Sequence, residues 1–129
     1  MATLTTVDGL QVSFQPDSVA VLTDHDAGTG VAVTCVYGIT NSDLHIAESV
    51  AAFLSRLGIT ANFAQLTRPN DSPVWIQGKA VSSIRVPLPD EYIGSVNAVV
   101  TTGVLTQGVN VKETPAAAVA QINAHGGKL

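Results

Sequence analysis

Short segments in which apolar and polar residues alternate fill the first half of the chain, as in half-buried β-strands. In one of them Leu10, Val12 and Phe14 fall on one face and polar residues fall on the other. Pro16-Asp17 interrupts this run, after which the strand resumes. The pattern predicts strand over residues 1–6, 10–15, 18–23, 29–37 and 43–47, with 18–23 taken as the continuation of the interrupted run. A flexible acidic loop is predicted over residues 24–30.

A helical pattern follows the last of these strands. Ser49 is the predicted N-cap, because its hydroxyl can accept hydrogen bonds from the first turn, and Gly58 is predicted to end the helix. In the second half Thr114 is the predicted cap, and Pro115 takes the first helical position, where its missing amide costs nothing. The apolar stripes of the two helices are Val50, Phe53, Leu54 and Leu57, and Ala118, Val119 and Ile122.

The second half of the chain repeats the pattern of the first. Residues 109–122 match residues 44–57 in order, with an alternating apolar pair, a glutamate, a hydroxyl residue and a helical pattern. Upstream the offset is 62, and it becomes 65 after Leu22 because the second copy has a longer, proline-containing loop. Matching pairs include Phe14 with Ile76, Gln15 with Gln77, Gly38 with Gly103 and Glu48 with Glu113. The alternative is that any two strand-rich segments share alternating apolar positions.

This repeat predicts an architecture. Each copy is expected to be four strands and a helix (ββββα), in an α+β fold that is mostly β and has about eight strands and two helices. The two copies, a tandem duplication, are predicted to span residues 1–60 and 61–129. Because a half of this size buries its surface poorly alone, the halves are predicted to share one core as a single pseudo-twofold domain.

The composition leaves few charges for the surface. Charged residues make up only 12% of the chain, against about a quarter in a typical protein, and hydrophobic residues make up 46%. Part of such a surface is expected to meet another chain, and a homo-oligomer is predicted. The net charge of −4, from ten acids and six bases, lacks the basic footprint that drives phosphate binding. The charge therefore counts against a dedicated nucleic-acid binder.

Cys35 is the only cysteine, so the chain has no intrachain disulfide and no cysteine-rich metal site. Its place in a β-prone, apolar segment predicts a buried small hydrophobe rather than a reactive thiol. No apolar run approaches membrane-spanning length, and the N-terminus lacks the basic and apolar regions of a signal peptide. The expected location is a virion or the bacterial cytoplasm.

Aromatic residues are the best candidates for contacts with other proteins. Trp75, the only tryptophan, alternates with apolar neighbours and is expected to face away from the helix. There it is either covered by the other half or available as an anchor for a partner. The candidate protein-interface residues are Trp75, Tyr92, Tyr37 and Arg85. Alternatively, Trp75 could stack nucleic-acid bases together with Tyr37 and Phe63, although few Lys or Arg residues lie nearby.

No motif predicts catalysis, a bound metal or a cofactor. His25, His45 and His125 are not at metal-ligand spacing, and the glycine-rich elbow expected around a serine nucleophile is missing. The acidic segment 24–30 is faintly similar to a calcium loop, but it lacks the downstream glutamate and the full ligand series. A solvated turn is predicted there, and the chain is expected not to be an enzyme.

The second half begins with Leu66-Thr67-Arg68 and reaches Val111-Lys112-Glu113 at a strand end before a short helix. In these motifs it resembles the small flagellar FlbD-like proteins, which are single modules of about one repeat's length. The turn is Asn70-Asp71 where that family has Asn-Gly. The first half keeps only Leu4-Thr5, Asp8-Gly9 and Ala47-Glu48-Ser49. The resemblance covers about half of the chain and implies a motility-associated module.

The duplicated plan of four strands and a helix is also similar in architecture to the PUR and Whirly single-stranded nucleic-acid binders. That resemblance implies a binding face rich in basic and aromatic residues, whereas the six bases here are spread thinly along the chain. Fold similarity of this kind does not establish function.

A chain rich in Ala, Val, Thr and Gly, with few charges and no catalytic motif, has the composition expected of a viral shell protein. We therefore expect a non-enzymatic structural protein that binds other protein subunits, with capsid decoration or cement as the sharpest version of that role. A single-stranded nucleic-acid binder is the first alternative, and a motility-associated module is the second.

Overall fold

The structure is a computed structural model that describes residues 2–26, 32–88, 96–103 and 108–129. In these residues the fold is α+β and mostly β, as predicted, with ten strands and two α-helices. The chain divides into two compact units, unit 1 (Met1–Thr60) and unit 2 (Ala61–Leu129). The prediction that the two halves share one core stays a prediction.

In its described residues, unit 1 contains five strands and one α-helix. Its elements are β1 (Ala2–Thr5), β2 (Gln11–Phe14), β3 (Val21–Asp26), β4 (Ala32–Tyr37), β5 (Leu44–Ile46) and α1 (Val50–Leu57). Strands β1 and β2 form an antiparallel hairpin, and β3, β4 and β5 form an antiparallel meander. A short 3-10 turn at Pro16–Ser18 lies between β2 and β3. The interrupted run expected as one strand is therefore two strands with different partners, because Pro16 has no amide with which to continue the ladder.

Unit 2 has the same order of elements. They are β6 (Phe63–Thr67), β7 (Pro73–Gln77), β8 (Val81–Arg85), β9 (Ala98–Thr102), β10 (Val109–Val111) and α2 (Pro115–Ala124), with a 3-10 turn at Gly78–Ala80. Strands β6 and β7 form a hairpin, and β8, β9 and β10 form a meander. Each unit thus has five strands in the described residues rather than the four expected. The order of elements is compatible with a duplication, which stays a prediction.

Strand β3 is longer than the sequence predicts. It takes in the first three residues of the expected acidic loop, where Asp24 pairs with Thr34 and Asp26 pairs with Ala32. Backbone pairing with β4 does not depend on side-chain charge, and the Asp24 side chain is exposed to solvent. The rest of that loop, residues 27–30, lies outside the described residues.

The predicted helix caps are confirmed. The Ser49 hydroxyl accepts from the Ala52 amide at 3.1 Å, and the Thr114 hydroxyl accepts from the Ala117 amide at 3.3 Å. Gly58 ends α1 in the left-handed conformation, at a φ of 72°. In the described part of the chain, no helix has the length and apolar character needed to cross a membrane.

The two helices are anchored to their units by different kinds of buried residue. In unit 1 Phe53 is fully buried, and its ring stacks on that of Phe14, with centroids 6.1 Å apart. In unit 2 the fully buried residues of the helix are Ala118 and Ile122. A large aromatic residue therefore anchors α1 in its middle, whereas an aliphatic residue anchors α2 close to its C-terminal end.

Candidate functional site

The loop of the β1–β2 hairpin and the turn before β5 enclose a pocket in unit 1. Its volume is about 370 Å³, within the range of small-ligand sites. The Val7 amide donates to the His45 carbonyl oxygen at 2.8 Å, and Thr6 forms an isolated bridge with Ile46. These backbone contacts hold the hairpin loop against β5. The residues that line the pocket are Thr6, Val7, Asp8, Leu10, Ser42, Asp43, Leu44 and His45.

Hydrogen bonds within the hairpin loop organise one wall of this pocket. The Thr6 hydroxyl donates to the Asp8 carboxylate and accepts from the Leu10 amide, the latter at 2.9 Å. The bond from Thr6 is the main reason why the pKa of Asp8 is lowered from its usual value, with smaller contributions from a backbone hydrogen bond and from His45. Asp8 therefore presents a carboxylate to the pocket.

The rim of the pocket is apolar and open to solvent. Val7 is 58% exposed and Leu10 is 57% exposed. Leu10, expected on the same face as Val12 and Phe14, lies just before β2, where its amide donates to the Thr6 hydroxyl, and its facing stays a prediction.

Strand pairing brings three potential metal ligands together beside the pocket. Cys35 and His45 are directly opposite each other on β4 and β5, and His45 Nε2 lies 2.8 Å from Asp43 Oδ2. One ligand atom from each of these three residues lies within 4.8 Å of the others. Cys35 is 5% exposed, so its predicted burial is confirmed, whereas Asp43 is exposed and His45 is half-buried.

Sequence spacing did not predict this cluster, because the register of two neighbouring strands creates it. Cys35 and His45 are ten positions apart, which matches no metal-binding motif. Of the other two histidines, His125 follows α2 and its Nδ1 lies 2.8 Å from the Gln121 carbonyl oxygen. The side chain of His25 lies outside the described residues.

The predicted interface residues of unit 2 lie on separate strands. Trp75 is half-buried on β7, opposite Gln65 of β6, and alternates with the fully buried Val74 and Ile76. Arg85 is the half-buried last residue of β8, where its guanidinium donates to the Val86 carbonyl oxygen at 3.2 Å. Strand β7 pairs with β6, whereas β8 pairs with β9.

The other two predicted interface residues are Tyr37 and Tyr92. Tyr37 is the half-buried last residue of β4 in unit 1, where it pairs with Val21. Tyr92 lies outside the described residues. The interface role of all four candidates stays a prediction.

A second exposed apolar pair follows β8 directly. Val86 is 64% exposed and Leu88 is 52% exposed. Both residues lie in the predicted proline-containing loop and are not among the predicted interface residues. The signal was the alternation of apolar residues with Pro87 and Pro89, because a proline removes the backbone donor with which a buried strand pairs.

Arg56 and Lys112 form ion pairs inside their own units. Arg56 donates to both carboxylate oxygens of Glu48, at 3.0 and 2.8 Å, and to the Thr3 carbonyl oxygen at 2.9 Å. The hydrogen bonds to Glu48 are the main reason why the pKa of Arg56 is raised above its usual value, and the negative charge of Glu48 adds to the effect. In unit 2 Lys112 forms an ion pair with Asp71.

No protein-family model, curated protein or solved structure matches this chain. The resemblances to FlbD-like modules and to PUR and Whirly domains therefore stay predictions.

Proposed function

We propose that this chain is a non-enzymatic structural protein that binds other protein subunits, including copies of itself. The most specific form of this proposal is that the chain is a decoration or cement protein of a viral (phage) shell. The observation that carries the proposal is the exposure of two apolar pairs, Val7 with Leu10 in unit 1 and Val86 with Leu88 in unit 2.

Burial of these pairs would supply a useful part of a binding free energy. Complete burial of a Val or Leu side chain contributes about 1.5–3 kcal/mol, so a side chain that starts half-exposed contributes roughly 1 kcal/mol. Single exposed apolar residues are ordinary, so the proposal depends on the members of each pair lying close together along a chain with only 12% charged residues.

The state of the basic residues supports a protein partner over a nucleic acid. Arg56 and Lys112 already form ion pairs with Glu48 and Asp71. Contact with a phosphate would have to compete with these pairs in a chain whose net charge is −4.

The test is the mass of the purified chain by light scattering, with and without a single-stranded oligonucleotide, in low and moderate salt. We expect the mass of a dimer or larger species, and we expect the oligonucleotide to leave this mass unchanged. The double variant Val7→Ser with Leu10→Ser should lower the mass, because it removes one apolar pair. The control is Leu129→Ser, since Leu129 is also exposed but belongs to neither pair.

A monomer under all conditions would overturn self-association. A complex that forms with the oligonucleotide at low salt and dissociates as the salt rises would replace the proposal with nucleic-acid binding. The shell role has its own test, which is co-sedimentation of the chain with phage particles. Its absence from the particle fraction would exclude that role and leave self-association standing.

A further inference from the structure

We propose that Cys35, Asp43 and His45 form a binding site for one Zn²⁺ ion beside the pocket of unit 1. This inference stands on the strand pairing and the donor set and does not depend on the proposed function.

The three donors suit zinc. A thiolate, an imidazole and a carboxylate are its usual protein ligands, and sites with three protein ligands leave a fourth position for water or another group. The soft sulfur donor disfavours Mg²⁺ and Ca²⁺, which prefer oxygen ligands. Two anionic ligands, Cys35 and Asp43, would neutralise the charge of the ion.

The geometry is close to that of a tetrahedral site. Zinc bonds of about 2.3 Å to sulfur and about 2.1 Å to nitrogen and oxygen separate ligand atoms by roughly 3.4–3.7 Å. The atoms of the cluster lie within 4.8 Å of one another, so some must move together by about 1 Å. His45 Nε2 and Asp43 Oδ2, now 2.8 Å apart, must instead separate by roughly half an ångström. Rotation of the exposed Asp43 and half-buried His45 side chains can supply both changes.

The backbone around the cluster is well held. Cys35 and His45 are paired residues of adjacent strands, so their Cα atoms have a fixed separation. Next to Cys35, the Thr34 hydroxyl donates to the Glu48 carbonyl oxygen at 2.6 Å and ties β4 to the start of α1. The buried thiol thus offers a rigid ligand on one side, and the pocket offers an open approach on the other.

Unit 2 has no equivalent donors. The middle residue of β10 is Asn110, which pairs with Val99, and the residue two positions before Asn110 is Gly108. The same strand arrangement therefore presents a valine and an amide where unit 1 presents a thiol and an imidazole. One ion per chain is expected.

The experiment uses the full chain, freed of metal by a chelator and then titrated with Zn²⁺ against a chromophoric competitor. We expect one Zn²⁺ per chain. The variants Cys35→Ser and His45→Gln should each weaken binding by about 100-fold or more. His125→Gln is the matched control, because it removes an imidazole outside the cluster and should leave the affinity unchanged. His45→Gln changes a half-buried side chain, so it remains informative if Cys35→Ser folds poorly.

Substitution with Co²⁺ gives a second readout. A site with a thiolate ligand should show a sulfur-to-metal charge-transfer band in the near ultraviolet, and this band should be absent in Cys35→Ser. The proposal is overturned if the chain binds no Zn²⁺, if His45→Gln binds as tightly as the unchanged chain, or if the Co²⁺ form lacks the thiolate band. Loss of binding in His125→Gln would also overturn it, because the ligand would then lie elsewhere.

Discussion

The hairpin loops that open the two units share a backbone hydrogen bond and a left-handed residue but differ in their side chains. The amide of Thr6 in unit 1 and that of Arg68 in unit 2 each donate to the carbonyl oxygen four residues later, at 2.8 Å in both. Within each loop, Gly9 and Asp71 have left-handed backbone, at φ values of 92° and 68°. A glycine and an aspartate thus serve the same turn, since aspartate tolerates this conformation better than most residues.

What differs is the chemistry that each loop presents. In unit 1 the Thr6 hydroxyl binds Asp8, and the loop forms a wall of the pocket. In unit 2 the Asn70 side chain accepts from the Ser72 amide at 3.1 Å, and Asp71 pairs with Lys112. One loop geometry thus carries a candidate ligand site in one unit and an ion pair in the other.

The largest difference we expect between the units concerns their helices. Phe53→Ala should lower the free energy of unfolding by about 3–5 kcal/mol, because it removes a fully buried ring stacked on Phe14. At the position matched in sequence, Ala118→Gly should cost only about 1 kcal/mol. Urea unfolding measures both values, and hydrogen exchange assigns the loss to a unit. Equal costs would show that the units do not differ in how their helices are anchored.

The glycines that end the fourth strand of each unit provide a second contrast. Gly38 has a φ of 113°, and a Cβ placed there would lie 2.4 Å from the Ser18 carbonyl oxygen. Gly38→Ala should therefore cost about 1–3 kcal/mol for the backbone conformation alone, with the clash added.

The matched substitution is Gly103→Ala, where nothing lies within 4 Å of a new Cβ. It should change the stability by less than about 0.5 kcal/mol. The melting temperatures of the two variants, measured by thermal unfolding, show whether Gly38→Ala costs more stability than Gly103→Ala. A Gly38→Ala variant as stable as Gly103→Ala would contradict the close approach to Ser18.

The smallest expected effect is a pH dependence carried by Asp8, whose counterpart Asn70 cannot ionise. The pKa of Asp8 in the folded state is lowered from its usual value of 3.8. Its carboxylate therefore stabilises the fold at pH values above 3.8, and this contribution is lost as the pH falls through the lower, folded-state pKa. Asp8→Asn should flatten the acid side of the stability profile, measured by urea unfolding in the presence of a chelator.

Two variants of Thr6 locate the cause of this effect. Thr6→Val removes the hydroxyl donor and should flatten the profile as Asp8→Asn does, whereas Thr6→Ser keeps the donor and should preserve it. If Thr6→Val left the acid slope unchanged, the hydrogen bond would not be its source.

Features set by nearby residues could be predicted from the sequence. The caps at Ser49 and Thr114 and the stop at Gly58 depend on hydrogen bonds and backbone conformation within one turn, and all three are confirmed. The mostly β character follows in the same way from short alternating segments. Such features depend on interactions between residues that are close together in the sequence.

Features set by pairing between strands could not be predicted in this way. The number of strands in unit 1 depended on the different partners of the segments before and after Pro16. The cluster of Cys35, Asp43 and His45 depended on the register between β4 and β5, where a shift of one residue would turn His45 to the other face. Register is fixed by packing along whole strands, and no short motif reports it.

The hydrogen bond from Arg56 to Thr3 spans 53 positions of the chain and joins the last turn of α1 to the first strand of its unit. The first strand and the last helix of unit 1 are therefore close enough for one side chain to connect them. A module whose two ends are neighbours can be inserted into a host loop or permuted with a short connector. In a circular permutant of unit 1, the end of α1 would be joined to β1 and new termini would be opened in another exposed loop. Such a permutant should keep the hydrogen bond from Arg56 to Thr3.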